Sequence, residues 1–181
     1  MLWLLEEIGE PYTIKYVTIR RGDGTGGSDP ANKHPEGKVP ALDHDGKLVT
    51  ESGAICLYLT DAFPKAGRGP KVGDANRADY LFWLFNYATD LEPAMMARMT
   101  GSGDNPMWKR SYEETTARLT KALKAGDYLL GSKFSAADIL FASAVSWMRA
   151  QFPEDAAYDR YLERCRWRPA YKRGEAKDKA A

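Results

Sequence analysis

The sequence predicts an α/β domain over residues 1–64, a linker over 65–76 and an all-α helical-bundle domain over 77–181. Three observations point to that division. Between Gly37 and Ser52, two short apolar runs flank Asp45-Gly46, a tight-hairpin dipeptide. Residues 64–76 hold two prolines and three glycines, the composition of a connector. From Arg77 onward the apolar spacing is helical throughout.

The elements follow in order. Trp3, Leu4 and Ile8 recur at helical spacing, and Gly9 with Pro11 ends that first helix. Residues 12–19 are rich in β-branched and aromatic side chains and read as a strand. Residues 20–35 read as a polar, glycine-rich loop with room for one helical turn. The hairpin comes next, then a helix over 53–63 with Ser52 as its expected N-cap. Residues 77–99 form a long aromatic-rich helix that Pro93 should kink. Residues 107–124 place Trp108, Tyr112, Leu119 and Leu123 on one face, with Glu114 and Arg118 spaced to pair on the surface. Ser135 and Asp138 have capping-box spacing, and Phe134 with Ile139 has the spacing of a hydrophobic staple. The helix they open, 136–150, is apolar almost all round and is expected at the centre of the bundle. A last clear helix spans 155–166, and the charged tail from Arg173 is expected to fray.

Composition narrows the function. The chain has 181 residues, 44% hydrophobic and 28% charged, with a net charge of +1. A chain of this length buries roughly 70% of its unfolded surface, so it needs no covalent staples. Charge near zero argues against a nucleic-acid or membrane-surface partner. No apolar run approaches the roughly 20 residues that span a bilayer. The opening Met1-Leu2-Trp3-Leu4-Leu5-Glu6-Glu7 lacks the basic start of a signal peptide. Cys56 and Cys165 are too far apart in sequence to suggest a disulfide framework, and two histidines with two separated cysteines make no metal set. A reduced, cytoplasmic setting is the expectation.

The residues around the hairpin carry the chemistry. Pro40 lacks an N–H and sits at the start of the first strand, leaving neighbouring backbone groups free to face a ligand. X-Pro is also the one bond type in which cis is cheap, so Val39-Pro40 is open to it. Glu51-Ser52 stands at a helix start, where backbone N–H groups attract a carboxylate. By itself this pair reads first as a strand end and an N-cap, because serine caps are common. Gly22 to Gly27 fits G-x-G-x-x-G, yet Asp29-Pro30 follows where a helix should, so a loop is the better reading. Cys56 lies in an apolar helix and reads as a buried, inert thiol.

His34-Pro35-Glu36-Gly37-Lys38-Val39-Pro40-Ala41-Leu42, followed by Glu51-Ser52, resembles the glutathione transferase family, which has Asn where His34 stands. Leu2-Trp3-Leu4-Leu5-Glu6-Glu7 and the Ser135/Asp138 cap are similar to the family as well. The resemblance implies a thioredoxin-like first domain and a helical second domain. It implies that Ser52 and helix N–H groups hold the γ-glutamyl carboxylate of glutathione, that Glu51 holds its ammonium, and that the Val39 backbone beside Pro40 pairs with the cysteinyl part. Lys38, and with less weight His34, would reach the glycyl carboxylate. Tyr87 and Met96, core residues first, would also line a second-substrate pocket. Glutathione would be the co-substrate, a small apolar electrophile its partner in a detoxification reaction, and the protein a homodimer without a metal. Family members open on a strand and a loop bearing a Ser, Tyr or Cys that activates the thiol. This sequence starts inside the helix that follows, so the catalytic residue is unassigned. The expectation is an incomplete reading of a longer protein, or a degraded copy with a loose first domain and little conjugating activity. The alternatives are a glutathione- or partner-binding module of the same fold without transferase activity, and a glutathione-dependent lyase or reductase.

Overall fold

The computed structural model describes residues 1–179. Helix α1 (Leu2–Ile8) ends at Gly9, which takes a left-handed φ of 82°. Strands β1 (Ala41–His44) and β2 (Lys47–Thr50) form an antiparallel hairpin with Ala41 opposite Thr50 and His44 opposite Lys47. Asp45 and Gly46 both have positive φ, 52° and 77°, as a two-residue turn matched to strand twist requires. Helix α2 (Ser52–Ala62) follows, then a 3₁₀ turn at Pro64–Ala66.

The second half is helical: α3 (Arg77–Asn86), a π turn at Tyr87–Leu91, α4 (Glu92–Met99), α5 (Pro106–Ala125), α6 (Ala136–Trp147), α7 (Ala156–Arg166) and α8 (Pro169–Asp178). Helix α6 is the buried centre, as its composition predicts, with Ala136 to Ala142 all shielded from solvent. Its first turn is fixed by Asp138, whose carboxylate accepts from the Ser135 N–H at 2.8 Å, the Ser135 hydroxyl at 3.0 Å and the Leu129 N–H at 2.9 Å. Burial pushes this carboxyl up to about 6 against those donors. The core runs without a break from Leu4, Ile55 and Leu59 into Leu84, Phe141 and Tyr161.

Several expectations change. Residues 12–19 are not a strand: among the described residues no other strand runs beside them, and high β propensity without a partner leaves the segment merely extended. Residues 20–35 hold turns and one bridge, Arg20 to Gly26, in place of a helical turn. The break in the long helix is a π turn that ends just before Pro93, not a simple kink. Glu114 pairs with Arg110 at 2.7 Å, while Arg118 lies over the Phe82 ring at 5.0 Å. Residues 180–181 lie outside the described residues, and from Arg173 to Asp178 the charged tail is part of helix α8 rather than a frayed end. It packs on α1, where Arg173 and Lys177 bond to Glu6 at 2.6 and 2.5 Å.

Candidate functional site

The site is built where the hairpin hands over to α2. Glu51 has φ 67° and ψ 124°, a backbone conformation that a residue with a Cβ adopts only at a cost. Such strain is of order 1–3 kcal/mol and gathers at functional positions. Because the chain turns at Glu51, that residue is the N-cap and Ser52 is the first helical residue, one position later than its hydroxyl would suit a cap. Glu51 caps no N–H with its side chain; its carbonyl accepts from the Ile55 N–H at 2.9 Å. The first N–H groups of an 11-residue helix are thus left open to an anion. Among the described residues, the Ser52 hydroxyl has no hydrogen-bond partner.

The facing wall is residues 32–40. The Val39-Pro40 peptide is cis. Val39 is 52% exposed although it is apolar and flanks a strand. The Asn32 amide donates to the Lys38 carbonyl at 3.1 Å. His34 is buried, its N–H bonded to Asn32 Oδ1 at 2.9 Å and its Nδ1 accepting from the Glu36 N–H at 3.1 Å. Its ring therefore shapes the turn that presents Lys38. Lys38 is exposed and paired with Glu36, whose carboxylate raises the lysine above its ordinary value. An exposed pair of this kind is worth little, so the ammonium is free to leave it for a ligand.

Tyr87 lies in the π turn with its ring edge-on to Phe141 at 5.7 Å, and burial raises its hydroxyl well above the ordinary range. Met96 sits on the exposed side of α4, whereas Met95 is wholly buried. Glu92, at the start of α4, was not singled out by sequence. Burial, and then the charge of Glu51, push its carboxyl up. The only signal in the sequence was Pro93 beside it, which marks a disturbed helix. Burial raises Cys56 to about 12, which keeps it a thiol. The glycine loop makes no phosphate cradle: a Cβ on Gly26 would fall 1.9 Å from the Ile19 carbonyl oxygen, and no helix follows the loop.

Profiles for "Glutathione S-transferase, N-terminal domain" and "Glutathione S-transferase, C-terminal domain" match residues 1–62 and 75–173. The chain belongs to the glutathione S-transferase family. It is 29% identical over 150 residues to glutathione S-transferase GstA of Escherichia coli, covering 81% of this chain and 75% of that protein. Among solved structures, a sphingomonad glutathione S-transferase complexed with glutathione superposes with a TM-score of 0.77 at 27% identity, covering 99% of this chain and 93% of that one. A theta-class enzyme of Xanthomonas axonopodis pv. citri with glutathione bound gives a TM-score of 0.75 at 28% identity, covering 96% and 88%. The fold of this transferase is accordingly a thioredoxin-like α/β unit joined to a helical bundle. No helix among the described residues is long and apolar enough to cross a membrane.

Proposed function

We propose that this family member joins the sulfur of glutathione to small apolar electrophiles, and that glutathione lies between residues 38–40 and the start of α2. The observation that carries the reading is the strained Glu51 turn, which leaves the first N–H groups of α2 uncapped beside the cis Val39-Pro40 segment. In the relatives from the sphingomonad and Xanthomonas, glutathione is present in the solved structures.

The roles follow from charge and geometry. The α2 N-terminus and Ser52 hydroxyl take the γ-glutamyl carboxylate, and Glu51 takes the ammonium. The exposed Val39 backbone pairs with the cysteinyl unit. Lys38 leaves Glu36 for the glycyl carboxylate, while His34 holds the turn that aims it. The thiolate then attacks the electrophile: a C–S bond forms, the leaving group departs with its electron pair, and the thiol proton goes to solvent. Holding the two reactants in line supplies much of the acceleration. The thiol-activating residue stays unassigned. Tyr87 and Met96 are offered as walls for the second substrate.

Residues 1–64 are read as the glutathione-binding unit, 65–76 as the linker and 77–181 as the helical unit. A cytoplasmic detoxification role and a homodimer complete the proposal. Phe82, Phe85, Met96 and Met99 support the dimer, because they leave α3 and α4 with exposed apolar side chains. A monomer mass by light scattering at micromolar concentration would overturn it.

The binding test is Ser52→Ala, assayed by retention on immobilised glutathione and by calorimetry. A lost contact to a charged group costs about 1.5–3 kcal/mol, so affinity should fall roughly ten- to hundredfold. Unchanged affinity would remove Ser52 from the site.

A further inference from the structure

The π turn Tyr87–Leu91 is held by a small polar cluster. Asn86 Nδ2 donates to Asp90 Oδ2 at 3.2 Å, and the Thr89 hydroxyl donates to the same oxygen at 2.6 Å. From α5, the Ser111 hydroxyl reaches the Asp90 carbonyl at 3.4 Å and Asp90 Oδ1 at 3.5 Å. Asn86 is 5% exposed, and its Oδ1 has no partner among the described residues. A buried acceptor left unpaired is a net liability, and a leucine of similar size would remove it. Stability alone therefore does not account for an asparagine here. Among the described residues, the one hydrogen bond of its side chain runs along the helix to Asp90, inside the turn.

What that turn positions is the lip of the glutathione site. Helix α2 packs on both α3 and the π turn. A Cβ on Gly53 would meet the Leu84 carbonyl oxygen at 3.4 Å, so the first turn of α2 lies directly against the last turn of α3. The extra residue of a π turn rotates everything after it relative to a regular helix. Tyr87 is its first residue and Glu92 the next beyond its end, with the Glu92 N–H bonded back to the Tyr87 carbonyl.

We propose that Asn86 is a positioning residue for glutathione binding: by holding Asp90 it fixes the π turn that packs on α2, the helix whose first turn the glutathione is assigned to. This rests on the assignment of glutathione to the Glu51–Ser52 turn. The test uses the full chain with Asn86→Leu, and Asn86→Ala as the second variant. Three quantities are measured: the glutathione Kd by calorimetry, the thermal midpoint, and amide exchange at Glu92. Asn86→Leu should keep or raise the midpoint, weaken glutathione at least tenfold and speed exchange at Glu92 while α5 to α7 stay protected. Asn86→Ala should weaken glutathione to the same degree. A Kd within twofold of the parent chain in either folded variant overturns the inference, and so does failure of both variants to fold. If the parent chain binds glutathione and Ser52→Ala weakens it while the Asn86 variants do not, the positioning role alone falls. If the parent chain does not bind glutathione, the site assignment falls and takes this role with it.

Discussion

Gly174→Ala separates two effects of opposite sign. Within a helix, alanine in place of glycine should stabilise by about 1 kcal/mol. Gly174, however, is where α8 lies closest to α1: an added Cβ would stand 2.8 Å from both the Cα and the N of Trp3. That neighbour is backbone and cannot swing aside, so α8 itself must move. Overpacking of this kind costs about 1–3 kcal/mol. The shift also strains the contacts that cross the same seam. Arg168 bonds to Glu7 at 2.5 and 2.7 Å and lies over the Phe134 ring at 3.8 Å, while Trp3 packs edge-on to Tyr171 at 5.0 Å. The Glu7 side chain is only 5% exposed, so loosening its partner is felt. A net loss of about 1 kcal/mol is expected, which lowers the thermal midpoint of a domain this size by roughly 2–4 °C. Calorimetric melting measures it. A midpoint that rises by the few degrees helix propensity alone would give would show that α8 does not rest on Trp3.

Two further outcomes are expected. The Lys177 ammonium, then Tyr12 and Arg173, hold the Glu6 carboxyl down to about 2 from 4.5, and its side chain is 9% exposed. A lowered folded pKa stabilises above the unfolded value and is lost as pH falls from about 4.5 to 2; with two solvent-facing partners the loss is about 1–2 kcal/mol. Melts of Glu6→Gln should therefore fall below the parent chain at pH 6 and converge on it only below about pH 2, and a constant gap would rule the linkage out. Glu51→Gly should relieve the φ of 67° and raise the midpoint by a few degrees, yet weaken glutathione at least tenfold by removing the carboxylate from its ammonium. A midpoint that falls would mean that the turn is not strained.

Much of the fold was legible because local chemistry and tertiary packing agree in those stretches. Asp45-Gly46 demands positive φ, and the hairpin has it at both residues. The run from Ala136 to Val145 has almost no polar side chain to turn outward, so it had to be central. Residues 12–19 failed for the converse reason. Their propensity states only that they would suit a pleated surface, and a sheet needs a second strand alongside. The tail misled in a similar way: its charges look like a solvated end until Glu6 on α1, more than 160 positions away, supplies the partner of Arg173 and Lys177.

The site divides along the same line. Its proposed residues were legible because they are close in sequence: Val39-Pro40 and Glu51-Ser52 bracket one hairpin, and the motif survives without knowledge of the rest. Its geometry was not. Placing the turn at Glu51 rather than Ser52 depends on a φ of 67°, which glutamate does not advertise. A π turn adds one residue ahead of Glu92, and a helical wheel drawn at 3.6 residues per turn puts every residue after Leu91 at the wrong angle. Beyond that point, periodicity still tells buried from exposed, as Met95 and Met96 show, but it no longer tells which exposed side chains look toward α2. The turn that changes the angle is bonded by the polar cluster of Asn86, Thr89, Asp90 and Ser111, residues separated in sequence that share no motif.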